Sequence, residues 1–215
     1  MSDRTQALLA DNVIEGNQRT LIEDFDGDGH VDVFLPGFRD GSVIVSADSV
    51  MLWGGPTGFT RENFSDQVQA HGACLGDLNN DGRPDMLVAG DAVALTGGAY
   101  INNGDRTFTV MPNVLPNSNV YFEACAVIPF AGGHTVYLSG NNNGNSPRDN
   151  IAVIDHALAV TSVTGHQTDP SLDTTDVLAT DLDEDGAVDF VTIANGLGVG
   201  DPGPVQLMEA DGNGL

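Results

Sequence analysis

DFDGDGHVDVFLPG, Asp24 to Gly37, decides the fold, because an acidic nine-residue loop runs straight into a short apolar segment closed by Pro36 and Gly37. Oxygen donors stand at its first, third, fifth and ninth positions, Asp24, Asp26, Asp28 and Asp32, and Gly29 fills the sixth, where a sharp turn needs backbone freedom. The pattern returns as DLNNDGRPD at Asp77 to Asp85 and as DLDEDGAVD at Asp181 to Asp189, each followed by an apolar run, MLVAG or FVTIAN. Such a donor set suits a hard cation that takes about six to eight oxygens, and calcium fits that description best.

A helix–loop–helix calcium site would need a Glu at position twelve and a helix on each side. Position twelve is Leu35, Val88 and Thr192 instead, and the runs after each loop are rich in strand formers ended by turn residues. The loops therefore join strands.

Spacing shows how many units there are. Asp24 to Asp77 spans 53 residues and Asp77 to Asp181 spans 104, so one more repeat is expected between the second and third loops. ACAVIPFAGGHTVYLSG from Ala124 supplies it, aligning with ACLGDLNNDGRPDMLVAG from Ala73. Its acidic positions have become Ile128, Pro129, Phe130 and Ala131, which leaves no carboxylate to hold a cation. A period of about 50 residues with several short strands per unit is the mark of a β-propeller built of four-stranded blades. In the first unit, strands are predicted at 20–23, 32–35, 50–53 and 58–61; in the second, at 72–75, 85–89, 99–101 and 107–110. GGPTG at Gly54 and NNGD at Asn102 mark tight hairpins between the third and fourth strands.

These residues resemble the FG-GAP or VCBS-type repeats, the propeller class that includes the integrin α-subunit head, over about residues 18 to 215. The resemblance implies an all-β propeller of four-stranded antiparallel blades, with about four repeats at 18–66, 67–117, 118–166 and 167–215. In that family the side chains of positions one, three, five and nine and the carbonyl of position seven bind calcium. Carried over, this implicates Asp24, Asp26, Asp28, the His30 carbonyl and Asp32; Asp77, Asn79, Asp81, the Arg83 carbonyl and Asp85; and Asp181, Asp183, Asp185, the Ala187 carbonyl and Asp189. Three calcium ions are expected, and their role is to staple the blades.

In a four-stranded meander the acidic loops share one face with the third-to-fourth strand turns. The long connections after Pro36, Ser139 and Ala194 lie on the opposite face. Binding residues usually sit on loops carried by a rigid scaffold, so Arg39, Asp40, Asn141, Asn142, Asn143 and Arg148 are the candidate ligand contacts, with a protein or glycan as the ligand. The expected function is an extracellular or cell-surface interaction or adhesion module. The alternative is the scaffold propeller domain of a secreted polysaccharide- or lipid-acting enzyme.

Seven Arg, no Lys and 31 acids give a formal charge of −24, and eleven of those acids occupy ligand positions. Three divalent cations, six positive charges, would bring the total to about −18. That balance argues against nucleic acid or an anionic membrane surface as partner. Met1 to Val13 lacks the basic start and apolar core of a secretory leader, so a leader is expected upstream if the parent is secreted; no apolar stretch is long enough to insert into a membrane.

Cys74 and Cys125 fall at equivalent places in adjacent repeats and are read first as core thiols, which leaves the redox compartment open. No hydrolase or phosphate-cradling motif is present, so the chain is read as non-enzymatic. The histidines at 30, 71, 134, 156 and 166 are scattered; His71 and His134 lie beside inner strands and are read as packed or solvated. The last repeat stops before its own fourth strand. Either residues 1–17 close a four-bladed ring, or they precede a segment of a larger propeller. The family's usual blade number favours the segment, whose exposed blade edges would self-associate.

Overall fold

A computed structural model describes residues 19–37, 48–64, 70–90, 98–112, 114–115, 121–141, 149–166, 172–184, 187–196 and 202–208. They form four antiparallel sheets, each an open meander in chain order. The first holds β1 (Leu21–Glu23), β2 (Asp32–Leu35), β3 (Val50–Trp53) and β4 (Thr60–Asn63). The second holds β5 (Ala70–Gly76), β6 (Asp85–Gly90), β7 (Gly98–Asn102) and β8 (Phe108–Met111). In the third are β9 (Tyr121–Phe130), β10 (Gly133–Asn141), β11 (Asp149–Asp155) and β12 (Val160–His166). Among the described residues the fourth has three strands, β13 (Leu172–Thr180), β14 (Asp189–Gly196) and β15 (Pro202–Met208). No described helix is long and apolar enough to cross a membrane.

The four sheets are propeller-like blades stacked through apolar faces. Phe34 and Met51 of the first sheet meet Met86 and Tyr100 of the second, with Phe64 set edge-on to Phe34 at 5.8 Å. Leu87 of the second sheet packs with Val136, Leu138 and Ile154 of the third. Tyr137 of the third lies 5.3 Å from Phe190 of the fourth. Each fully buried side chain of this kind contributes about 1.5–3 kcal/mol, so these interfaces hold the stack together. Arg19, ahead of β1, pairs with Asp176 of β13 at 2.6 Å. On the far face of the fourth sheet Leu178, Ile193, Val205 and Leu207 are about half exposed or more.

The predicted strands at 32–35 and 50–53 coincide with β2 and β3. The one predicted at 58–61 starts at Thr60, because Gly58 stays in the turn with φ 139°. In the third sheet, where the acidic residues are missing, β9 and β10 stay paired up to Phe130 opposite Gly133 and turn through Ala131 and Gly132. With no carboxylates to repel one another, the ladder continues where the other repeats open into a loop.

The structure corrects the reading of the cysteines as core thiols: Cys74 of β5 and Cys125 of β9 are disulfide-bonded, with Cα atoms 5.5 Å apart. Gly72 explains the approach, since a Cβ there would stand 2.9 Å from the Cα of Ala124. Two backbones that close bring the thiols inside the reach of about 7 Å that a bridge requires.

The expected loops after Ser139 and Ala194 are shorter than the sequence suggested, since β10 runs to Asn141 and β14 to Gly196, and β15 starts at Pro202. Asn141 ends β10 opposite Tyr121. Arg39, Asp40, Asn142, Asn143 and Arg148 lie outside the described residues, as do residues 1–17.

Candidate metal centre

Each acidic loop connects the first strand of a sheet to the second, and the first two loops share one hydrogen-bond scheme. The position-one carboxylate accepts from the N–H groups of positions five and six: Asp24 from Asp28 (3.1 Å) and Gly29 (2.9 Å), Asp77 from Asp81 (2.9 Å) and Gly82 (2.8 Å). The position-three oxygen accepts from position five, Asp26 from Asp28 at 3.0 Å and Asn79 from Asp81 at 3.1 Å. Position five accepts from position seven, Asp28 from His30 at 2.8 Å and Asp81 from Arg83 at 3.0 Å. These are Asx-turns, which short acidic side chains form with the backbone two residues on. Gly29 and Gly82 take φ 85° and 84°, the left-handed turn expected at position six. Position four is left-handed as well, in Gly27, Asn80 and Glu184, which the sequence pattern did not reveal.

Position nine does a second job. Asp32 accepts from Phe25 N–H at 2.9 Å with one oxygen and from Gly54 N–H at 2.6 Å with the other. Asp85 does the same with Leu78 (2.9 Å) and Asn102 (2.8 Å), and Asp189 accepts from Leu182 at 3.1 Å. The residue thus ties its loop to the end of the third strand. Asp32 and Asp85 are fully buried, and burial pushes both carboxyls above the ordinary Asp range against the opposing pull of those N–H donors.

Carboxylate oxygens of Asp24, Asp26 and Asp28 lie within 4.8 Å of one another, and so do those of Asp181, Asp183 and Asp189. Asp185 lies outside the described residues, while Ala187 sits in the loop just before β14. In the second loop the position-three residue is Asn79, whose amide donates to Asp81 at 2.7 Å. Cations already gather here. Arg83 pairs with Asp81 and donates to the Asn102 carbonyl at 2.8 Å. Arg106, from the turn after β7, reaches Asp26 at 2.5 Å and Asp28 at 3.5 Å. The Asn102 amide donates to the Phe25 carbonyl at 2.7 Å, so a polar chain runs from the first loop through Asn102 and Asp85 to the second.

Sequence reasoning found the acids but missed Arg106 and Asn102, because NNGD reads as a turn whatever it touches. It also missed the meeting of His134 in β10 with His156 in the turn after β11, ring centres 5.4 Å apart. Burial, followed by the neighbouring His156 ring, holds the His134 imidazole below its ordinary pKa.

Repeated sheets with acidic first turns define a propeller-like repeat protein. Residues 24–88 match the family model of an FG-GAP-like repeat. No curated protein matches it. Among solved structures, a provisionally assigned exo-beta-1,3-galactanase from Bifidobacterium bifidum s17 is similar over 91% of this chain and 69% of its own, with TM-score 0.61 and 13% identity. That likeness is one of fold. BBS1N, crystallised in complex with ARL6DN, is similar over 92% of this chain at TM-score 0.48 and 13% identity, and the chain spans 55% of it.

Proposed function

We propose that this protein is a calcium-stabilised propeller module that acts outside the cell as an interaction or adhesion domain. The observation that carries the calcium reading is the first loop, where three carboxylates converge within 4.8 Å and draw in the guanidinium of Arg106 from the next sheet. A site that recruits a side-chain cation has the field for a divalent one. The donors are hard oxygens, and the free lone pairs of Asp24, Asp26 and Asp28, with the His30 carbonyl, would hold calcium; Asp32 would complete the shell. The corresponding groups are Asp77, Asn79, Asp81, Arg83 and Asp85 in the second loop, and Asp181, Asp183, Asp185, Ala187 and Asp189 in the third. Bound calcium would supply charge neutralisation and cross-link each first turn.

The extracellular setting is supported by the Cys74–Cys125 bridge, since such bonds persist in oxidising compartments. Ligand binding, to protein or glycan, is assigned to the face opposite the acidic loops, with Arg39, Asp40 and Arg148 as the charged candidates beside Asn141, Asn142 and Asn143; arrays of immobilised glycans probed with Arg39→Ala and Arg148→Ala test it. The exposed far face of the fourth sheet supports self-association.

Calcium at ten times its dissociation constant stabilises by about 1.4 kcal/mol per site, so three sites would contribute about 4 kcal/mol. Thermal melts of the purified chain with calcium and with excess chelator, paired with native mass spectrometry for stoichiometry, decide the matter. Three bound ions and a melting point raised by calcium are expected; an unchanged melt in chelator would overturn the reading.

A further inference from the structure

On the acidic-loop side, between the second and third sheets, lies a cavity of about 420 Å3 bounded by Asp77, Pro129, Phe130, His134 and His156 among others. Phe130 stands at position three of its repeat, where the other loops carry Asp26, Asn79 and Asp183, so the cavity adjoins the turn whose acidic residues were lost. His134 is only 2% exposed. Its ring plane stands at 86° to that of His156, and the Nδ1 atoms of both are buried without a hydrogen-bond partner. Two imidazoles side by side, each with a buried Nδ1 that makes no hydrogen bond, leave two ring nitrogens able to act as metal ligands.

We propose that the Nδ1 atoms of His134 and His156 bind a divalent transition-metal ion of the zinc class in this cavity. Two imidazoles on one tetrahedral ion, with metal–nitrogen bonds of about 2.0–2.1 Å, place their ring centres about 5 Å apart. The observed separation is 5.4 Å. Imidazole nitrogen suits zinc, copper and nickel, whereas calcium takes oxygen, so the pair selects a different metal from the acidic loops. The remaining coordination positions face the cavity and are open to water or to an exogenous ligand, as in zinc centres that keep a free position.

The test is a zinc titration by calorimetry in excess calcium, comparing the intact chain with His156→Ala and His166→Ala, the latter at the end of β12 and outside the acidic loops. His156 sits in a half-exposed turn, so its variant retains the fold, and circular dichroism checks this. Zinc bound by the acidic loops is common to all three chains and cancels in the comparison. The wild type and His166→Ala are expected to take up one zinc that His156→Ala binds at least about tenfold more weakly. Cobalt at the same site should give the visible absorption of tetrahedral nitrogen coordination. Equal zinc uptake by wild type and His156→Ala, or no uptake by either, would overturn the proposal and leave a water molecule as the bridge between the two rings.

Discussion

Arg106, in the turn between β7 and β8, places its Nε and Nη2 each 2.5 Å from Oδ2 of Asp26 in the neighbouring sheet's acidic loop. The same guanidinium lies 5.2 Å from the centre of the Trp53 ring, so one side chain joins the acidic loop, the end of β3 and the second sheet. The turn of one blade thereby completes the electrostatics of the next blade's loop.

Replacing Arg106 by Gln should therefore act in opposite directions with and without metal. Removing a positive charge beside Asp26 is expected to tighten calcium at the first loop by about three- to tenfold, on the scale of about 1 kcal/mol for charges 4 Å apart in water. The calcium-free protein should melt earlier, having lost the contact to Asp26 and Trp53. Calcium titrations at low ionic strength measure the first effect, which added salt should shrink. Weaker calcium binding by Arg106→Gln would mean that the arginine organises the loop rather than competing for it.

Asp85 and Asp28 separate support from binding. Asp85→Ala strands the N–H groups of Leu78 and Asn102 in a buried place and is expected to cost about 2–4 kcal/mol in a urea melt, with or without calcium. Asp28→Ala removes an acceptor for the exposed His30 N–H and an exposed outer contact to Arg106 and, without calcium, should stay within about 0.5 kcal/mol of wild type. With calcium present its deficit should widen, because the first loop has lost a ligand. Equal losses from the two variants under both conditions would contradict this division.

The disulfide closes a sequence separation of 51 residues between the first strands of adjacent sheets. Chain-entropy reasoning assigns such a bridge about 4 kcal/mol. The double variant Cys74→Ala, Cys125→Ala should lose most of that in denaturant melts, and reduction of the wild type should match it. Identical midpoints for oxidised and reduced chains would show that the apolar packing between the second and third sheets suffices alone.

Acid should weaken the protein through His134. Burial and the adjacent His156 ring lower its pKa in the folded state, while the unfolded chain protonates near the ordinary value of about 6.5. As pH falls through that value the unfolded state binds a proton that the native state refuses, so stability declines until the lowered folded pKa is reached. Above about pH 6.5 the group adds no pH dependence. Urea midpoints in saturating calcium should show this decline in wild type and a flatter profile in His134→Gln; parallel profiles would remove His134 from the acid response.

The acidic loops and their strands could be read along the chain because their information is local. Asp24 to Asp32 contains its own turn chemistry: Asx-turns two residues long, a glycine at the left-handed sixth position and strand formers on either side. The degenerate repeat was legible for the same reason, since Ile128 to Ala131 occupy register positions that spacing alone identifies. Position nine was read as a ligand only. Its hold on Gly54 and Asn102 joins residues 22 and 17 apart, across a strand whose path no local pattern specifies.

From the sequence alone came the all-β class, the repeat period, the three acidic loops and the repeat that lost its own, because period and turn chemistry are properties of neighbouring residues. Only the tertiary structure decided that Cys74 reaches Cys125, that Arg106 serves another blade's loop, and that His134 faces His156. Those pairs are 51, 80 and 22 residues apart along the chain. Stacking of sheets brings them together, and stacking is decided by how whole apolar faces fit, with a glycine such as Gly72 setting how close two backbones come.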